Sequence, residues 1–120
     1  MKGHVLAAVD DMIFAAKIRA TAEQLGVSIE FPRNDAALLA VARTVMPALI
    51  LVDLHTPRHD FAALAAALKA DPALACVPLI GFFAHVNTEL MQRARAAGFD
   101  RVLARSGFVK QLPELLTQAD

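Results

Sequence analysis

Asp10 and Asp11 stand side by side after one apolar run, and Asp53 ends another, Leu49-Ile50-Leu51-Val52-Asp53-Leu54-His55-Thr56-Pro57. If those runs are neighbouring strands, three carboxylates converge on one small pocket. Crowded like charges repel one another and attract a hard cation. Mg²⁺ suits such a place, because it needs only a few carboxylates and keeps several waters. The plainer role is capping, in which Asp10 or Asp11 accepts from the first amides of a helix. A cap alone does not call for three acids on two strands.

Other reactive side chains are scattered. His55, His59 and His85 fall in loops, and with Asp53 they offer donors for Zn²⁺ or another transition metal. They form no compact ligand motif, so solvent-exposed loop histidines are the simpler expectation. His85 can alternatively point a donor into the pocket. Met12, Ile13 and Phe14 follow the acidic pair directly; either two of the three are core or they form a docking patch. Phe82 and Phe83 are adjacent and point to opposite faces of a strand, so at least one is core. Cys76 precedes a strand and reads as an inert thiol. Arg93, Arg95, Arg101 and Arg105 are explained mainly by a solvated helix face.

The elements that must position these groups alternate strictly. His4 to Val9 reads as a strand and Met12 to Leu25 as a helix stopped by Gly26. Val27 to Phe31 is a short strand, and Asn34 caps a helix from Asp35 to about Val45, with Pro47 just beyond. Ala48 to Val52 is a continuous apolar run, the mark of a strand buried on both faces. Phe61 to Ala70 is helical, closed by Asp71-Pro72. Val77 to Phe82 is a strand, Asn87 or Thr88 opens a helix that ends at Gly98, and Arg101 to Ala104 is a fifth strand. The last helix is expected over Phe108 to Gln118, with Pro113 tolerable only near its start. Five strand–helix units predict an α/β, doubly wound parallel sheet with helices on both faces. In such a sheet ligand chemistry sits at the carboxyl ends of the strands.

Composition narrows the classes further. The 120 residues suit one domain over 1–120, and 57% hydrophobic with 20% charged residues argues against disorder. Twelve basic and twelve acidic side chains cancel, which argues against a nucleic-acid partner. The run Val5 to Val9 is too short for a signal-peptide core, and Ala36 to Leu54 is cut by Arg43, Pro47 and Asp53. A lone cysteine gives no support for an oxidising compartment. A cytoplasmic protein without membrane contact is expected.

Val9-Asp10-Asp11, Asp53-Leu54-x-x-Pro57, Val77-Pro78-Leu79-Ile80 and Ala97-Gly98-Phe99-Asp100, in this order and spacing, resemble the receiver domain of bacterial response regulators over essentially the full chain. The resemblance implies a flavodoxin-like, CheY-like three-layer sandwich with strand order 2-1-3-4-5. It implies that Asp53 is the phosphoacceptor, that Asp10 and Asp11 bind metal, and that the His55 backbone carbonyl is a further Mg²⁺ ligand. An aspartate attacking phosphorus in line, beside a cation that offsets charge on the oxygens, is consistent chemistry. The donor is then the phosphohistidine of a histidine kinase or phosphotransfer protein, or a small acyl phosphate.

Three positions depart from that family. Phe83 stands where receivers carry the Thr or Ser whose hydroxyl bonds the phosphoryl group. Val102 stands at the switch aromatic. Arg105-Ser106 replaces Lys-Pro, whose peptide is cis in the family. Arg105 keeps the charge, but its planar fork is not a point charge. Ser106 makes a cis bond costly, so a trans, reshaped loop loosened by Gly107 is expected. The implied function is an atypical stand-alone receiver of a two-component phosphorelay, signalling through a partner protein. The alternative is a phosphorylation-independent pseudo-receiver that acts as a protein-interaction module. Free-substrate turnover is not expected. Aspartyl phosphatases of the haloacid dehalogenase type need a second acid two residues after the nucleophile, where this chain has His55, and no glycine-rich phosphate loop follows the first strand.

Overall fold

The computed structural model describes residues 3–85 and 87–118. Its elements are β1 (His4–Ala8), α1 (Met12–Gln24), β2 (Ser28–Glu30), α2 (Asp35–Val45), β3 (Leu49–Asp53), α3 (Phe61–Ala70), β4 (Leu79–Phe83), α4 (Thr88–Ala97), β5 (Arg101–Ala104) and α5 (Arg105–Gln118). All neighbouring strands pair in parallel, in the order β2-β1-β3-β4-β5. The expected doubly wound three-layer sandwich is therefore present.

Alternation of side chains divides the core between the two faces of the sheet. Val5, Ala7, Leu49, Leu51, Ile80 and Phe82 face one way and pack with Phe14 and Ile18 of α1 and Phe108 and Leu112 of α5. Leu6, Ala8, Ile50, Val52 and Leu79 face the other, against Leu38 of α2, Leu64 and Leu68 of α3 and Ala94 of α4. β3 is central and buried at every position. Asp53 follows Leu51 by two residues, so it stands on the α1/α5 face at the carboxyl end of that strand.

Helix ends follow local chemistry. Asn34, Asp60 and Asn87 each accept from a first-turn amide of α2, α3 and α4. Gly98 closes α4 in the left-handed region at φ 114°, where a Cβ would be strained.

Several boundaries move. β4 starts two residues later than expected and takes in Phe83, because Val77 and Pro78 are used before the strand: the Val77 amide donates to Leu74 and the Pro78 carbonyl accepts from Ile50. The largest correction concerns α5. It opens at Arg105, directly after β5, rather than at Phe108, so no loop separates them. Ser106 and Gly107 lie in its first turn, and no described peptide bond is cis. Pro113 sits in the helix interior rather than near its start. The burial of Phe108, Leu112, Leu115 and Leu116, spaced as one helical face, outweighs the missing proline amide.

Candidate functional site

The carboxyl ends of β1 and β3 bring the acids together unequally. Asp53 is 5% exposed. Its Oδ1 accepts from the His55 amide at 2.9 Å in the turn that follows β3. Its Oδ2 faces Arg105 Nη2 at 3.7 Å. Asp11 is the cap of α1: its Oδ1 accepts from the Ile13 and Phe14 amides at 3.0 and 3.1 Å. Its Oδ2 lies 3.8 Å from the same Arg105 Nη2. One guanidinium nitrogen thus stands between the two carboxylates.

Asp10 is turned to other partners. Its Oδ2 accepts from the Thr56 hydroxyl, and from the Arg58 amide at 3.2 Å. Its Oδ1 faces Arg58 Nε at 4.0 Å. Thr56 and Arg58 carried no expectation from sequence. Their only signal was a polar pair just after the turn Asp53 begins.

Arg105 is placed by the direct passage from β5 into α5, which fixes its backbone beside β4 through the Phe83–Ala104 pairing. Its guanidinium carbon lies 4.4 Å from the centre of the Phe14 ring, a cation–π distance. Phe14 in turn packs on Phe82 and Phe108, at 5.1 and 5.9 Å between centroids. Of Met12, Ile13 and Phe14, only Phe14 is core; Met12 and Ile13 are each 86% exposed, beside the acidic pair. The two-of-three core expectation is corrected, because the helix turns only one of three consecutive residues to the sheet.

The family-departing positions are fixed in place. Phe83, the last residue of β4, is buried. Val102 is half-buried against the core of the α2/α3/α4 face. Ser106 is the second residue of α5.

The histidines separate. His55 and His85 are exposed, with ring centroids 6.0 Å apart. His59 is buried, contrary to the expectation of three exposed loop histidines. Its Nδ1 lies 2.6 Å from Asp35 Oδ1, while Asp35 Oδ2 accepts from the Asp60 amide at 2.9 Å. An ionised carboxylate only accepts, so Nδ1 donates. His59 Nε2 is buried and has no hydrogen-bond partner among the described residues. Asp35 thus ties the start of α2 to the segment before α3. Asp35→Ala is expected to cost about 1–3 kcal/mol, since it leaves a buried imidazole donor unsatisfied. Urea unfolding measures this, and a loss within error of zero would remove the bracing role.

The arrangement does not fit a divalent cation on Asp10, Asp11, Asp53 and the His55 carbonyl. Among the described residues no group of three His, Cys, Asp or Glu side chains is placed to hold a metal ion. Each oxygen of the three carboxylates already faces an amide, a hydroxyl or a guanidinium. Arg105 Nη2 lies within 4 Å of an oxygen of both Asp11 and Asp53, so a positive group already sits beside the two carboxylates.

No family model and no curated protein sequence matches this chain. Solved structures do. The chemotaxis response regulator CheY4 of Vibrio cholerae superposes with a TM-score of 0.84 at 18% identity, covering 100% of both chains. The phosphorylated cyanobacterial phytochrome response regulator RcpA gives 0.79 at 18% identity, over 97% of this chain and 89% of that one. The Mn²⁺-bound form of response regulator Rcp1 gives 0.77 at 17% identity, over 94% and 91%. With near-complete coverage and TM-scores of 0.77 to 0.84, the chain, five parallel strands in the order β2-β1-β3-β4-β5, has the fold of these response regulators.

Proposed function

We propose that residues 1–120 form one receiver-like signalling domain that accepts a phosphoryl group on Asp53. The observation that carries this reading is the setting of Asp53: a buried carboxylate at the carboxyl end of the central strand, one oxygen held by the His55 amide and the other beside Arg105. An amide and a cation of this kind hold a nucleophile in one orientation and offset charge that develops on a phosphoryl group. An Asp53 oxygen attacks phosphorus, the bond from phosphorus to the donor breaks, and the donor leaves with the electron pair. The donor is a histidine kinase or phosphotransfer protein, and exposed Met12 and Ile13 beside Asp11 offer it an apolar contact.

RcpA, which shares the fold, is described in a phosphorylated form, which supports the same chemistry here. Phe83 and Val102 supply neither the hydroxyl nor the aromatic of the usual relay, so the output passes to a partner by another route. The domain acts as an acceptor and turns over no free substrate. No described helix is long and apolar enough to cross a membrane; placement in the cytoplasm rests on the two-component reading alone.

The test is intact mass after incubation with acetyl phosphate and Mg²⁺. A gain of one phosphoryl group is expected in the wild type and none in Asp53→Ala. A gain of equal size in Asp53→Ala, or none in either, contradicts the reading.

A further inference from the structure

We propose that Arg105 stands at this acceptor site in place of a divalent cation, an inference that rests on Asp53 being the acceptor. Three observations carry it. Arg105 Nη2 lies 3.8 Å from Asp11 and 3.7 Å from Asp53, so one positive group already bridges the two carboxylates. The other oxygen of each acid accepts from backbone amides, and Asp10 is turned away to Thr56 and Arg58. The guanidinium is positioned by its backbone at the β5–α5 junction and by its cation–π contact with Phe14. A second cation entering here would meet a fixed charge of the same sign.

The same side chain carries an unspent donor. Arg105 Nε is buried and has no hydrogen-bond partner among the described residues. By covalent geometry Nε–H and Nη2 share one edge of the guanidinium, the edge that binds two oxygens of a phosphate at once. With Nη2 beside Asp53 Oδ2, that edge has the donors for a phosphoryl group formed there. As an Asp53 oxygen bonds to phosphorus and the leaving group departs with its electron pair, charge spreads over the phosphoryl oxygens. Arg105 is then the cation that offsets it.

Two arms test this. In the first, wild type and Arg105→Gln are incubated with acetyl phosphate, in EDTA or in Mg²⁺, and followed by intact mass. Wild type is expected to label as fast in EDTA as in Mg²⁺, and Arg105→Gln to label about a hundredfold more slowly in EDTA. A fall of about tenfold or more for wild type in EDTA overturns the proposal, as does unchanged metal-free labelling in Arg105→Gln. In the second arm, Mn²⁺ alone is titrated by calorimetry. Wild type is expected to bind none at millimolar concentration, and Arg105→Gln, which vacates the bridge between Asp11 and Asp53, to bind it. Binding by wild type, or by neither protein, overturns the proposal. Absence of label under every condition defeats the acceptor reading itself, while the Mn²⁺ arm still decides what fills the cation position. Thermal unfolding checks that Arg105→Gln is folded. If it is not, the wild-type responses to EDTA and Mn²⁺ decide alone.

Discussion

Phe82→Ala is expected to lower folding stability by about 3–5 kcal/mol, a large share of the roughly 5–15 kcal/mol of a typical domain. Phe82 is fully buried on β4, and its ring stacks on Phe108 of α5 with centroids 4.4 Å apart. It also packs on Phe14 of α1 at 5.1 Å. Truncation removes the transfer free energy of the ring and leaves a cavity between two helices and the sheet. Collapse is limited, because backbone pairing fixes β4 on both sides, to β3 and β5. The loss reaches the site as well, since Phe14 is also the platform under the Arg105 guanidinium. Urea unfolding gives the number; a loss below about 1 kcal/mol would mean that these rings are not the keystone of the α1/α5 face.

Gly81→Val is expected to overpack the core and destabilise the fold. A Cβ on Gly81 would lie 3.0 Å from Leu54 Cδ2 and 3.1 and 3.2 Å from Phe99 Cδ2 and Cε2. All three are side-chain atoms on the α2/α3/α4 face, where Leu54 and Phe99 are themselves buried. Valine adds two more methyl groups at the point of closest approach, so both neighbours must leave their rotamers or β4 must shift. Overpacking of this kind costs about 1–3 kcal/mol, occasionally more. Gly81→Ala should cost less than Gly81→Val. If valine were tolerated as well as alanine, the space beside Gly81 would have to be open.

The fold was legible where local chemistry and packing agree. The unbroken apolar run into Asp53, bounded by polar and proline residues, marks a central strand, and β3 is buried throughout. Asn34, Asn87 and Gly98 act as the caps their side chains suit. The start of α5 was not legible, because Arg105-Ser106-Gly107 has the composition of a turn. Helix there is imposed by packing of Phe108 and Leu112 on the sheet, and by the same packing Pro113 is carried in the interior. The burial of His59 depends on Asp35, which lies in a different element. The division of labour between Asp10 and Asp11 also escapes local reading. Adjacent and chemically identical, they differ only in which way the chain turns them: Asp11 to the α1 amides and Arg105, Asp10 to Thr56 and Arg58.

On the proposed reading, phosphoryl chemistry is confined to Asp53, the buried carboxylate beside Arg105. The most direct measurement labels the wild-type protein with acetyl phosphate, reduces the acyl phosphate with borohydride and maps the product by peptide mass. Conversion of Asp53 alone is the expected result. Modification at Asp10 or Asp11 with Asp53 untouched, or phosphate retained on His55 or His85, would contradict the account.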